Sequence, residues 1–246
     1  LFRNIPILLQ ILFWYNIFLN ALPHPKKSIS FLDFIFINNR GFYLPNPIPQ
    51  DGFLWVFIAF IIGVGSAIYL KRHFKRKQDE TGKQTNTIGY SLALILIFPT
   101  IVFLLLGSPL QLDYAILGKF NLKGGLAIVP EFVALTLALS VYTATYIAEA
   151  IRSGIEAVDK GQKEAAAAIG LTPIQSLKLV VLPQALRVAI PPTINQYLNL
   201  TKNSSLAAAI GYPELMSAFG GTVLNQVGQA IEILTMVMLV YLVISL

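Results

Sequence analysis

The chain has no cysteine and carries little charge. Charged residues make up 12% of its 246 positions, against about a quarter in a soluble domain. Without cysteine there is no disulfide framework, no thiolate metal site and no cysteine nucleophile. Histidine occurs only at His24 and His73, both outside the long apolar runs. That argues against a Ser–His dyad or a His-ligated metal buried in a membrane, and so against an intramembrane enzyme. No G-x-x-x-x-G-K-[ST] stretch is present, so the chain offers no phosphate loop with which to hydrolyse ATP itself. No convincing internal repeat is visible, although an ATP-independent carrier or channel would predict one.

What the chain has in abundance is apolar length. Hydrophobic residues make up 55%, and they fall into six runs near the roughly 20 residues that cross a bilayer core as a helix. The runs are Asn4–Leu22, Phe53–Leu70, Ile88–Gly107, Leu126–Ile151, Val188–Ile210 and Gln229–Leu246. Continuous runs favour helices over the ten-residue alternating segments of a membrane barrel. The expected fold is an all-α, polytopic helical membrane bundle, one transmembrane domain over 1–246. Asn4–Leu22 also fits a signal peptide flanked by Arg3, but its near-span length and the five runs after it favour a span. The chain begins with Leu and stops inside an apolar run, so it is read as part of a longer protein.

The formal charge of +6 would suit a nucleic-acid binder, but the placement of the charges points elsewhere. Six basic residues follow the second run (Lys71, Arg72, Lys75, Arg76, Lys77 and Lys83). Five more occupy 152–187 (Arg152, Lys160, Lys163, Lys178 and Arg187), and Arg3 precedes the first run. Six alternating crossings put these twelve on one face, and basic loops stay cytoplasmic. The opposite face receives Lys26, Lys27, Arg40, Lys119 and Lys123. Topology therefore accounts for the basic run, and no nucleic-acid partner is expected. In the outer loop 23–52, the apolar piece Phe31–Ile37 suits the membrane interface.

The linker 152–187 is patterned beyond a simple turn. Lys163–Ile169 is a strong helix former, and Gly170 suits the position just past a helix end. Thr172 then Pro173 reads as an N-cap followed by proline at the first helical position. A second short helix is expected over Ile174–Leu182, disrupted by Pro183. Ala165, Ala166, Ala167 and Ala168 would let another backbone approach closely. Ile169, Leu177 and Val181 offer apolar area, and Glu164 supplies one directed charge. A docking knob and a plain interfacial helix pair are both open on this basis.

The spacing Glu164-Ala165-Ala166, x3, Gly170, x9, Val180, x, Leu182-Pro183 resembles the EAA loop of ABC importer permeases, with Val for the usual Ile. Ala148–Ile155, Lys160-Gly161-Gln162, Leu182–Arg187, Pro191-Pro192, Asn195-Gln196-Tyr197 and Lys202–Leu206 resemble the polar amino-acid branch of that family. So does Phe2–Gln10. Smaller members lack the pair of runs at 53–70 and 88–107. That insertion resembles the general L-amino-acid permease subfamily, as do Asn39–Pro45 and Gly220–Gln226. In that subfamily a further N-terminal region and a short C-terminal tail flank the part present here.

The resemblance implies a permease subunit of a binding-protein-dependent amino-acid importer in the bacterial inner membrane. Glu164, Ala165, Ala166, Gly170, Leu182 and Pro183 would couple it to a cytoplasmic ATP-binding subunit. That partner would use ATP and Mg, and this chain would bind no cofactor. A second permease chain, favoured to be a paralogue over an identical copy, and an outer amino-acid-binding protein complete the expected partners, with membrane lipid around them. The 211–228 and 108–125 loops are the expected places for the binding protein.

Polar residues inside the runs are the remaining signal. Lys202 falls near the middle of the fifth run, where an uncompensated lysine costs roughly 3 kcal/mol or more. Asn195, Asn199, Lys202 and Asn203 share one helical face, with Ser204 beside them. They would line a substrate path or act as interhelical hydrogen-bond glue, and the charge favours the path. Thr136, Ser140 and Thr143 form a milder stripe suited to helix packing. Glu149 and Arg152 are spaced to pair. Glu131 and Glu232, near outer ends, are placed to face a docking partner.

Overall fold

The computed structural model describes residues 2–82, 87–118 and 121–246. Lys83 and Lys119 lie outside the described residues. The chain divides into two compact units.

The larger unit comprises Leu1–Ser30, Phe36–Phe42 and Ala127–Leu246. Its first helix, α1 (Ile7–Asn20), starts just after Pro6. Gln10 is almost fully buried, and its Nε2 donates to the Phe2 and Ile5 carbonyls at 2.8 and 3.1 Å. This pins the preceding segment against the helix. In the same unit α4 (Pro130–Glu156) begins on a proline, whose fixed φ and missing N–H suit the first helical position. Ile11 of α1 packs on Leu135, Ala138 and Leu139 of α4, and Ala207 and Ile210 complete this core. Two short helices follow, α5 (Lys160–Ala168) and α6 (Pro173–Ser176). A π-helical stretch, Leu177–Val181, then leads into α7 (Leu182–Asn203) and a 3₁₀ stretch, Ser204–Ile210. A second π-helical stretch (Met216–Val223), α8 (Leu224–Val227) and α9 (Ala230–Ser245) finish the chain.

The smaller unit, Phe31–Ile35 and Tyr43–Leu126, is built on two long helices. These are α2 (Phe53–Thr81) and α3 (Thr87–Leu105). A Cβ on Gly63 would lie 2.6 Å from the Leu94 carbonyl oxygen, so the two backbones touch there and only glycine fits.

The all-α expectation needs correction. Eight short strands occur among the described residues: β1 (Ile29–Phe31), β2 (Ile35–Asn38), β3 (Gly41–Leu44), β4 (Asn46–Pro49), β5 (Leu110–Asp113), β6 (Ile116–Leu117), β7 (Leu122–Lys123) and β8 (Leu126–Ile128). β4 pairs antiparallel with β5, Asn46 opposite Asp113, and β6 pairs with β7. The Asp113 carboxylate accepts the Gly125 N–H at 2.9 Å and so ties the ends of this small sheet region together. Runs this short give too few alternations for a period of two to show, and Pro45, Pro47 and Pro49 read as loop.

Among the described residues, four helices are long and apolar enough to cross a membrane: Phe53–Gln78, Thr87–Leu105, Pro130–Glu156 and Pro173–Ile210. The first and last expected spans hold shorter apolar helices of 14 and 16 residues, about 21 and 24 Å at 1.5 Å per residue. The fourth expected span shifts along the chain, because Leu126–Ile128 is strand and the helix begins at Pro130.

Candidate functional site

The 152–187 segment is held by side-chain and backbone caps. Asp159 stands at the N-cap of α5, where its Oδ1 accepts the Gly161 N–H at 2.6 Å. At the other end the Gly170 N–H donates to the Ala167 carbonyl at 2.9 Å, and the Leu171 N–H to the Ala166 carbonyl at 3.1 Å. That crossed pair is a Schellman turn, which needs a left-handed residue just past the helix. Gly170 supplies it with φ +80°, while space for a Cβ is open. The constraint at Gly170 is therefore conformational and not steric. Thr172 and Gln175 then form a reciprocal capping box around Pro173. The Thr172 N–H donates to Gln175 Oε1 at 2.9 Å and the Gln175 N–H to Thr172 Oγ1 at 3.4 Å. Gly170 and the Thr172–Pro173 start were expected from the sequence, while the Asp159 cap and the part played by Gln175 were not.

Pro183 does not break the second helix. Leu177–Val181 widens into a π turn in which the Leu182 N–H reaches back five residues to the Leu177 carbonyl. A proline lacks an N–H and its ring collides with the carbonyl four residues back. The wider turn takes the backbone out of that collision, as π bulges do. α6, the π turn, α7 and the 3₁₀ stretch thus form one long rod, Pro173–Ile210.

Exposure sorts the loop. Glu164 and Ala165 are exposed, and Ala166 is buried. Ile169 is 76% exposed and Leu177 46%. Val181, expected to offer apolar area outward, instead packs inward with Val158, Ala185 and Ile155. Leu182 and Pro183 sit at the junction of the π turn and α7 and are exposed. Gln184 Nε2 donates to Gln162 Oε1 at 3.3 Å and fastens α5 to α7.

The loop is seated on a tight helix crossing. A Cβ on Gly154 of α4 would stand 2.6 Å from the Ala185 carbonyl oxygen and 3.1 Å from the Ala189 Cβ of α7. Small residues let membrane helices approach this closely. Next to it Arg152 pairs with Glu149, as its spacing predicts, and with Glu156 at 3.2 Å. Arg3 lies 4.0 Å from Glu149, and the Tyr146 hydroxyl donates to the Arg3 carbonyl at 3.4 Å. The sequence reading did not anticipate that the Phe2–Asn4 segment joins this charge cluster.

The polar face of α7 is real but unevenly used. Asn195, Asn199 and Lys202 are exposed, and Asn203 and Ser204 are half-buried. The helix tightens to 3₁₀ at Ser204, whose hydroxyl donates to the Thr201 carbonyl at 2.7 Å. Lys202 opens onto a cavity of about 760 Å³ lined also by Ser205, Met216, Thr235, Tyr241 and Ser245. Among the described residues no carboxylate lies within ion-pair reach of Lys202. Thr235 and Ser245 of α9 both line the cavity, and hydroxyl residues within an apolar run are the signal the sequence carries for them. Both hydroxyls donate to their own helix, to the Ile231 and Tyr241 carbonyls.

Other expected sites divide. Thr143 is buried, while Thr136 and Ser140 are exposed, so the milder stripe is not wholly a packing seam within this chain. Glu131 accepts a hydrogen bond from the Tyr15 hydroxyl at 3.1 Å, an internal tie between α1 and α4. Glu232 is exposed in the first turn of α9.

Residues 59–246 match the family model described as "Binding-protein-dependent transport system inner membrane component". The chain belongs to that family. It is 50% identical over 245 residues to the general L-amino acid transport system permease protein AapQ of Rhizobium johnstonii, covering 100% of this chain and 61% of that one. It is 40% identical over 277 aligned residues to the glutamate/glutamine/aspartate/asparagine transport system permease protein BztB of Rhodobacter capsulatus, covering 100% of this chain and 64% of that one. The chain thus spans about three fifths of the length of these relatives, and both alignments run through the α2–α3 insertion. Family and apolar helices together make this a multi-pass membrane protein.

Proposed function

We propose that the chain is the membrane-spanning permease subunit of a binding-protein-dependent ABC importer for amino acids in the bacterial inner membrane. Its similarity, over the whole of this chain, to parts of two amino-acid permeases supports this reading. Within the molecule, the observation that carries it is the capped α5–Gly170–α6 bend, which leaves Glu164, Ala165 and Ile169 exposed. A directed charge beside small residues and one apolar anchor is what a separate ATPase subunit needs for docking. That subunit would bind ATP and Mg. Its motion would reach the membrane through the rod Pro173–Ile210, which leaves no hinge at Pro183.

Six crossings are part of the proposal, with α1 and α9 completed by their flanking segments. Twelve of the basic residues then face the cytoplasm, as short cytoplasmic loops require. Asn195, Asn199 and Lys202 would be costly against lipid. They fit a path enclosed with a second permease chain, along which the lysine and amides meet an amino acid's carboxylate. An outer amino-acid-binding protein would deliver the substrate.

The test is reconstitution with the ATPase subunit. Gly170→Val and Glu164→Lys are expected to insert normally yet lose copurified ATPase and uncouple ATP hydrolysis from uptake. Full uptake with both variants would refute the docking role.

A further inference from the structure

Helix α2 is longer than a bilayer core. Its 29 residues extend about 43 Å at 1.5 Å per residue, against about 30 Å of hydrocarbon, and it stays helical through the basic run 71–77. One side of α2 belongs to α3. Gly63 touches Leu94 there, Ala59 and Ala67 are buried, and Phe74 stacks on Tyr90 with ring centroids 6.5 Å apart. These four positions recur at helical spacing along one face.

At about 100° per residue, Lys71, Lys75, Arg72 and Arg76 fall on one arc of about 140°, turned away from α3. All four are exposed, and none of them is in an ion pair among the described residues. On the same arc toward the start of the helix lie Leu54, Phe57, Ile61 and Ile68, each at least half exposed. One helix face therefore presents about 21 Å of bare apolar surface that runs straight into four cations spaced over about 8 Å.

Setting topology requires only that basic residues lie on the cytoplasmic side. It does not require them to share the face that α3 leaves uncovered, nor to continue its apolar stripe. A surface that is apolar for the depth of one leaflet and then cationic matches an anionic phospholipid, whose phosphate is the group Lys and Arg bind best by charge-assisted hydrogen bonds.

We propose that this face of α2 binds an anionic phospholipid, with its acyl chains along the Ile61–Ile68 part of the stripe and its phosphate held by Lys71, Arg72, Lys75 and Arg76. The site requires α2 to cross the bilayer and is independent of ATPase docking, so failure of the Gly170 test leaves it standing.

The experiment uses the full chain in phosphatidylcholine vesicles carrying spin-labelled phosphatidylglycerol or spin-labelled phosphatidylcholine. Electron paramagnetic resonance reads the motionally restricted fraction of each label. The native chain is expected to prefer phosphatidylglycerol by about fivefold or more, the scale of one cation near a membrane surface. The variant K71Q/R72Q/K75Q/R76Q is expected to fall to parity, and K71R/K75R to keep the preference. Because the chain lacks cysteine, one introduced in a loop and labelled from outside the vesicle shows that orientation is unchanged. Parity in the native chain, or preference retained by the quadruple variant, overturns the proposal. Displacement of the labelled lipid by millimolar inorganic phosphate makes this a free-anion site and also overturns it. So does loss of ATPase copurification with lipid preference intact, which would assign the cations to a protein partner.

Discussion

Two helix pairs in this chain are each brought together at a glycine beside buried alanines, and they differ in what surrounds that contact. Gly154 lets α4 touch α7, and Gly63 lets α2 touch α3, each with 2.6 Å between an imagined Cβ and a facing carbonyl oxygen. The α4–α7 pair goes on to bury Ala185 and Ala189, sets the charge cluster at Arg152, and continues into the capped loop. In α3 no residue is buried at all. Lipid tails are as apolar as leucine, so apolar surface alone gives membrane helices no reason to associate. Small residues line both contacts, but polar ties and capped turns gather beside α4 and α7, and the outer face of the α2–α3 pair is left to lipid.

The sharpest way to break this contrast is to fill both contacts. Gly154→Leu is expected to cost about 3 kcal/mol through overpacking, read as a lowered Tm in detergent together with loss of bound ATPase. Gly63→Leu is expected to cost clearly less, because α2 and α3 can part into lipid. Equal losses would erase the distinction. A middle-sized effect is expected from Lys202→Ala, which should reduce amino-acid uptake on the order of tenfold if the charge meets a carboxylate while leaving folding intact. Unchanged uptake and substrate competition would move the polar face of α7 from path to glue. The smallest effect is expected from Ile97→Ala on α3, which is 56% exposed. Its stability change should stay within about 0.5 kcal/mol, and a larger loss would mean that a protein partner covers this face.

Much of the site was legible because its signals are local. Gly170 needs a left-handed φ, Thr172 and Gln175 are three residues apart, and Asp159 precedes a helix former. Each is decided within a few residues. Pro183 misled for the same reason. Proline's local meaning is a break, and only a π turn set up five residues earlier lets the helix run on. Val181 misled because its inward packing depends on Val158 and Ala185, which no spacing rule connects. The strands escaped because pairs such as β4 with β5 lie far apart in the chain and are too short to carry a period of their own.

By itself, the sequence determined that the chain is a helical membrane protein, where its basic residues fall, and which turns cap the loop at 152–187, since each follows from hydropathy over one helix length or from hydrogen bonds between near neighbours. Only the tertiary structure decided that the second half of the 152–187 loop and the fifth run are one rod, that Gly154 is the seat of that rod, that Glu131 is occupied by Tyr15, and that Lys202 opens onto a cavity shared with α9. Each of these depends on surfaces distant in the chain meeting at van der Waals or hydrogen-bond distance, and composition and periodicity do not encode such meetings.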